Sequence, residues 1–216
     1  MPLNYSCFIS YTSGWTPEYD RLIDAVESRL KEKLQYHLDV RPWRYSTSEA
    51  IGAQFQDVIP ARLCESVCMV VLYVPKYELS EICIREFAAM EDIEAARLKA
   101  LSPPPGTEYP MIIPIILRKR AKDQVPDWIK NSRNYLDLTQ YITPDQELLE
   151  ALDVPACKKR FEEIAQNMAE VYLALINHNP DPCQNCNPTL PASDDARVQA
   201  RWIRQRNTLT SRQPST

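Results

Sequence analysis

Short apolar runs alternate along this chain with longer segments whose apolar residues recur every three or four positions. Tyr5-Ser6-Cys7-Phe8-Ile9 is the first such run and predicts a strand. Tyr19, Leu22, Ile23, Val26, Leu30 and Leu34 then trace one helical stripe, with Asp20, Glu27 and Lys31 on the opposite face. Leu38–Arg44 predicts a second strand, and Pro42 suits its edge or end. Gln54–Glu65 predicts a shorter helix that Pro60 interrupts early, and Val67–Val74 a buried strand rich in β-branched residues. Ser80 stands where it would cap a helix running to about Lys99. Ser102-Pro103-Pro104-Pro105-Gly106 predicts a loop, because consecutive prolines remove donors and fix φ. Met111–Leu117 predicts a fourth strand and Asn134–Leu138 a short fifth. Phe161, Ile164, Ala165, Met168, Val171, Tyr172 and Leu175 mark the stripe of a closing helix near Pro155–Asn177.

Such alternation predicts an α/β fold in which helices cover both faces of a parallel sheet of about five strands, in flavodoxin-like order. Ligands of these sheets bind beyond the carboxyl ends of the strands. That edge comprises Ser10–Trp15, Arg44–Gly52, Pro75–Glu86 and Arg118–Lys122. The chain length predicts one domain, residues 1–178, followed by an appendage, 179–216. Pro180, Pro182, Pro188 and Pro191 mark this tail as disordered or docked on a partner. A short helix around Asp194–Arg206 would offer Val198 and Trp202 to another subunit.

Composition narrows the chemistry. The net charge of −4 argues against nucleic-acid binding or a charged membrane surface. The 3 glycines, Gly14, Gly52 and Gly106, are too far apart for a P-loop, a GxGxxG turn or a GxSxG elbow. With only His37 and His178, a histidine triad or multi-histidine metal centre has little to draw on. The 7 cysteines, the start without positive charge and the short apolar runs predict a soluble, cytoplasmic protein with free thiols and no membrane span.

One carboxylate breaks the apolar pattern. Leu79, Ile82, Cys83, Met90 and Ile93 form the buried stripe of the helix after the third strand, and Glu86 lies four residues from both Ile82 and Met90. A buried carboxylate costs several kcal/mol unless it is paired. Glu86 therefore either sits at the stripe's edge with an arginine partner or serves chemistry, near the positive end of the helix dipole.

Other groups carry weaker signals. Arg118, Lys119, Arg120 and Lys122 follow the fourth strand and face a pyrophosphate, an acidic protein surface or solvent. Cys183 and Cys186 with His178 supply three of the four ligands that a structural zinc wants. Cys83 reads as a small core residue or a nucleophile. Trp43 and Tyr45 either line a pocket or pack, and Ser80 reads as an N-cap, alone or doubling as a pocket hydroxyl.

Several stretches, in the right order from Asn4 to Tyr141, resemble a TIR (Toll/interleukin-1 receptor) domain of the stand-alone bacterial kind. Phe8-Ile9-Ser10-Tyr11 looks like the family's first box. Trp43 through Gly52, with Phe55, Ile59, Leu63 and Ser66, is similar to its second strand, BB loop and following helix. The run Tyr77-Glu78-Leu79-Ser80-Glu81-Ile82-Cys83-Ile84-Arg85-Glu86 resembles its Ser-x-x-Cys-x-x-Glu helix start, and Met111–Leu117 looks like its fourth strand. The resemblance implies an NAD-consuming enzyme of immune or antiviral signalling, with NAD as substrate, no cofactor and no metal. It places the catalytic carboxylate at Glu86 and substrate-binding residues at Phe8, Ser10, Tyr11, Trp43, Tyr45, Ser80 and Cys83. It also implies self-association through TIR–TIR contacts, and as further partners another immune protein or a nucleotide signal. The alternative is a non-catalytic TIR scaffold recruiting other TIR domains through the loop Tyr45–Gly52. The chain departs from the pattern at Ser6 and Tyr45, where acidic residues are usual, and at Ile82, where an aromatic is common.

Overall fold

The computed structural model describes residues 3–12, 16–45, 55–104, 107–121, 124–131, 133–141, 147–178 and 189–202. Most of the Tyr45–Gly52 loop, Lys122 and the Cys183/Cys186 pair lie outside the described residues.

The elements are β1 (Tyr5–Ser10), α1 (Pro17–Leu34), β2 (Arg41–Arg44), α2 (Phe55–Glu65), β3 (Ser66–Tyr73), a 3-10 turn (Pro75–Leu79), α3 (Glu81–Leu101) and β4 (Ile112–Ile116). After these come α4 (Asp127–Lys130), β5 (Leu136–Asp137), a second 3-10 turn (Leu138–Tyr141), α5 (Leu148–Ala151), α6 (Pro155–Ile176) and α7 (Ala196–Arg201). The five strands form one parallel sheet in the order β2-β1-β3-β4-β5, with Ser10 opposite Val71 and Tyr73 opposite Ile116. This is the flavodoxin-like order. Strand order reverses after β2, and right-handed crossovers then put α1 and α2 on opposite faces. Accordingly α1 packs with α6, and α2 with α3. Every residue of the central strand β3 is buried, which accounts for its unbroken apolar run.

Local chemistry explains where the boundaries differ from expectation. Leu38 is buried although it precedes β2, because its N–H still bonds to Leu34 O (2.8 Å) in the turn that closes α1. α2 runs on through Pro60, whose missing N–H removes one internal bond without ending the helix. α3 ends where Ser102, at φ 44°, takes the left-handed conformation just ahead of the prolines. β5 is reduced to two residues, Leu136 and Asp137, which pair with Ile115 and Ile116 of β4.

The described part of the tail departs from expectation more fully. Val198 and Trp202 are its anchors, as their spacing suggests, but α7 packs against α3 of the same chain and Trp202 reaches the 3-10 turn before it. Val198 is wholly buried and the Trp202 indole N–H donates to Leu79 O (3.3 Å). Arg197 grips Asp92 with two bonds (2.6 and 3.1 Å), and Arg201 grips Glu91 (2.7 and 2.9 Å) while lying 5.0 Å over the Phe87 ring.

Cys7, Cys68, Cys83 and Cys157 are free and buried. Cys64 is disulfide-bonded, so free thiols throughout were too broad an expectation. No helix among the described residues is long and apolar enough to cross a membrane.

Candidate active site

Four carboxylates are buried among the described residues: Glu78, Glu86, Glu94 and Asp137. Three have a cation. Glu78 accepts from Arg120 Nε (2.8 Å), Trp128 Nε1 (3.2 Å) and the Tyr73 hydroxyl (3.1 Å), and Arg120 Nη2 engages its other oxygen. Glu94 accepts from Met111 N (3.0 Å) and is bridged by Arg133. Asp137 meets Lys119 Nζ at 2.8 Å and accepts from Thr139 and Gln140.

Glu86 is the fourth, and its one bond is to a neutral group. The Ser10 hydroxyl donates to Glu86 Oε2 at 2.6 Å. Ser10 is the last residue of β1 and Glu86 lies in the second turn of α3, so the contact sits at the carboxyl edge beside the reversal in strand order. Burial pushes the Glu86 carboxyl up to about 7 from its ordinary 4.5, and the Ser10 hydrogen bond opposes that rise. Glu86 thus neither snorkels at the stripe's edge nor pairs with an arginine: it is 5% exposed and has no counter-charge among the described residues.

The remaining candidates fall into two groups. Ser10, Tyr11 and Cys83 gather around Glu86. The Cys83 thiol donates to Tyr11 O (3.3 Å), and burial pushes its pKa up, the opposite of what a nucleophilic thiol requires. Ser80 caps α3 by accepting from Cys83 N (3.4 Å). Phe8, Trp43 and Tyr45 form an aromatic row instead. Phe8 and Trp43 are core residues with ring centroids 4.9 Å apart, Tyr45 lies edge-on to Trp43 at 6.4 Å, and Tyr11 OH donates to Tyr45 O (3.1 Å). Of the cations after the fourth strand, Lys119 and Arg120 are held by Asp137 and Glu78, which gives both a structural role.

Two residues of the 3-10 turn were not legible as site residues. Tyr77 is wholly buried, its hydroxyl 2.8 Å from Ser10 Oγ and donating to Cys83 O (3.0 Å). Glu78 fixes the same turn from its other side. Both lie in the Pro75–Glu86 stretch of the expected carboxyl edge, but no pattern in the sequence set them apart from their neighbours. A cavity of about 350 Å³ opens at the carboxyl edge between α1, the ends of β3 and β4, and α5, lined by Tyr19, Leu22, Val74, Leu117, Arg118 and Leu148 among others. None of the eight sequence-selected residues lines it.

The chain is thus an α/β domain of flavodoxin-like topology whose sheet carries, at its carboxyl edge, a buried carboxylate without a counter-charge among the described residues. No protein-family model and no curated protein matches it.

Proposed function

We propose that this chain is an NAD-consuming enzyme of the TIR kind, cleaving the bond between nicotinamide and ribose. The observation that carries the reading is Glu86. Of the four carboxylates buried among the described residues, it alone lacks a cation among them, and it sits where the fold would bring a ligand. The C1′–N bond breaks heterolytically and its electron pair neutralises the pyridinium ring, so nicotinamide leaves without a general acid. Ionised Glu86 stabilises the oxocarbenium charge that develops on the ribose. Capture of C1′ by water yields ADP-ribose and a proton; capture by a nucleophile of the same molecule yields a cyclic isomer and also a proton. Neither course calls for a cofactor.

Self-association belongs to this reading. Arg44 stacks 5.8 Å over Tyr11 near the site but is engaged by Asp24 (2.6 Å) and Glu27 (3.1 Å), so a pyrophosphate would rely on other groups, such as those of a neighbouring copy. An immune-system protein or a nucleotide signal would fit as the trigger.

The test is nicotinamide release from NAD by concentrated protein, followed through a dilution series. Glu86→Gln should cut turnover on the order of 10²–10³ while keeping the fold, and specific activity should fall steeply on dilution. Wild-type turnover in Glu86→Gln would overturn the catalytic assignment. A second reading, a TIR scaffold without catalysis, draws on the 5% exposure of Glu86. Absence of release at high concentration would favour it.

A further inference from the structure

Glu86, Ser10 and Tyr77 form a chain of short contacts that ends on a backbone carbonyl. Glu86 Oε2 to Ser10 Oγ is 2.6 Å, Ser10 Oγ to Tyr77 OH is 2.8 Å, and Tyr77 OH to Cys83 O is 3.0 Å. These three contacts each need a proton, and the Ser10 and Tyr77 hydroxyls supply one apiece. With Glu86 ionised, Ser10 donates to it, and Tyr77 must choose between Ser10 and Cys83 O. One contact is then left without a proton. With Glu86 protonated the chain is complete, running from Glu86 to Ser10, to Tyr77, to Cys83 O.

We infer that Ser10 and Tyr77 are opposed positioning residues that set the charge of Glu86: Ser10 holds the carboxylate form, and Tyr77, by drawing the Ser10 proton towards itself, holds the neutral form. The inference rests on the catalytic reading of Glu86 for its functional meaning and on geometry for its physical one. The groups facing the chain are Cys83 on α3, Tyr77 on the 3-10 turn, Tyr19 on α1 and Tyr11 beyond β1. Burial pushes the Cys83, Tyr77 and Tyr19 groups up, keeping them neutral where Glu86 titrates. No lysine, arginine or histidine bonds to any member of the chain among the described residues.

The experiment is a carboxyl ¹³C NMR titration of glutamate-labelled full-length protein, with the Glu86 signal assigned by its loss in Glu86→Gln. Ser10→Ala should raise the Glu86 midpoint and Tyr77→Phe should lower it, each by about one pH unit, the scale of one hydrogen bond to a charged group. Ser10→Thr, which restores a hydroxyl, should return the midpoint to wild type and guards against a packing artefact. The pH profile of nicotinamide release should move in step. Midpoints that shift in the same direction, or not at all, would overturn the inference even if NAD is cleaved. Midpoints that shift in opposite directions in a protein that releases no nicotinamide would uphold it and remove the NAD reading instead.

Discussion

Glu86→Gln tests the state of the buried carboxyl through stability alone, without any substrate. A carboxyl whose pKa rises on folding binds its proton more tightly in the folded state. Its folded state is least penalised below the unfolded value, 4.5, where both states are protonated. Stability then falls as pH climbs from 4.5 through about 7 and levels off above. The span between those two values corresponds to about 3 kcal/mol of lost stability by pH 8. Glutamine nearly reproduces the shape of the neutral acid, can accept from Ser10 and does not titrate. The variant should therefore match wild type to within about 1 kcal/mol at pH 5 and exceed it by up to about 3 kcal/mol at pH 8. For a chain of this length the gain at pH 8 corresponds to about 6–12 °C in Tm. Urea unfolding of both proteins at pH 5, 6, 7 and 8 gives the difference directly. A Glu86→Gln protein less stable than wild type at pH 8, or a difference independent of pH, would refute the reasoning, because either outcome means that the carboxylate is paired.

Two further substitutions probe the framework around the site. Arg120→Met should strand Glu78, which is 1% exposed, and cost about 3–5 kcal/mol in thermal or urea melts; a loss below about 1 kcal/mol would show that Tyr73 and Trp128 suffice to hold that carboxylate. Val198→Asp should place a charge in the apolar seat of α7 and free the helix from α3. Hydrogen exchange should then show the amides of Ala196–Arg201 losing protection while the sheet keeps its own, and unchanged protection would mean that the pairs of Arg197 and Arg201 hold α7 unaided.

The sheet was legible because it is written in a period-2 or continuous apolar code that little else imitates, and β3 and β4 read almost to the residue. Glu86 was legible as an interruption of a helical stripe. What it faces was not, since periodicity assigns a side chain to a side of its own helix and says nothing of what crosses over to meet it. Ser10 lies 76 positions away from Glu86 in sequence, and Tyr77 sits in a 3-10 turn too short to leave a repeat. The same limit governed the tail. Val198 and Trp202 announced a face to be buried, and only folding supplied the address, α3 and the 3-10 turn of the same chain. The bland reading of Lys119 and Arg120 as solvated charges failed for a related reason: their partners, Asp137 and Glu78, are buried acids that no local pattern joins to them.

Arg97 ties the order of assembly to the architecture. α2 passes into β3 without an intervening loop, so its last carbonyls find donors elsewhere: Ser66 Oγ donates to Arg62 O (2.7 Å) and Asn4 N to Glu65 O (2.9 Å). The Arg97 guanidinium, 1% exposed near the far end of α3, donates to Cys64 O, Ser66 O and Val67 O at 2.8, 2.8 and 2.9 Å. The cap of one helix is thus delivered by another about thirty residues downstream, and it arrives only once α3 has docked. Hydrogen exchange should therefore find α2, β3 and α3 opening together as one cooperative unit, because loosening α3 withdraws the guanidinium from all three carbonyls at once.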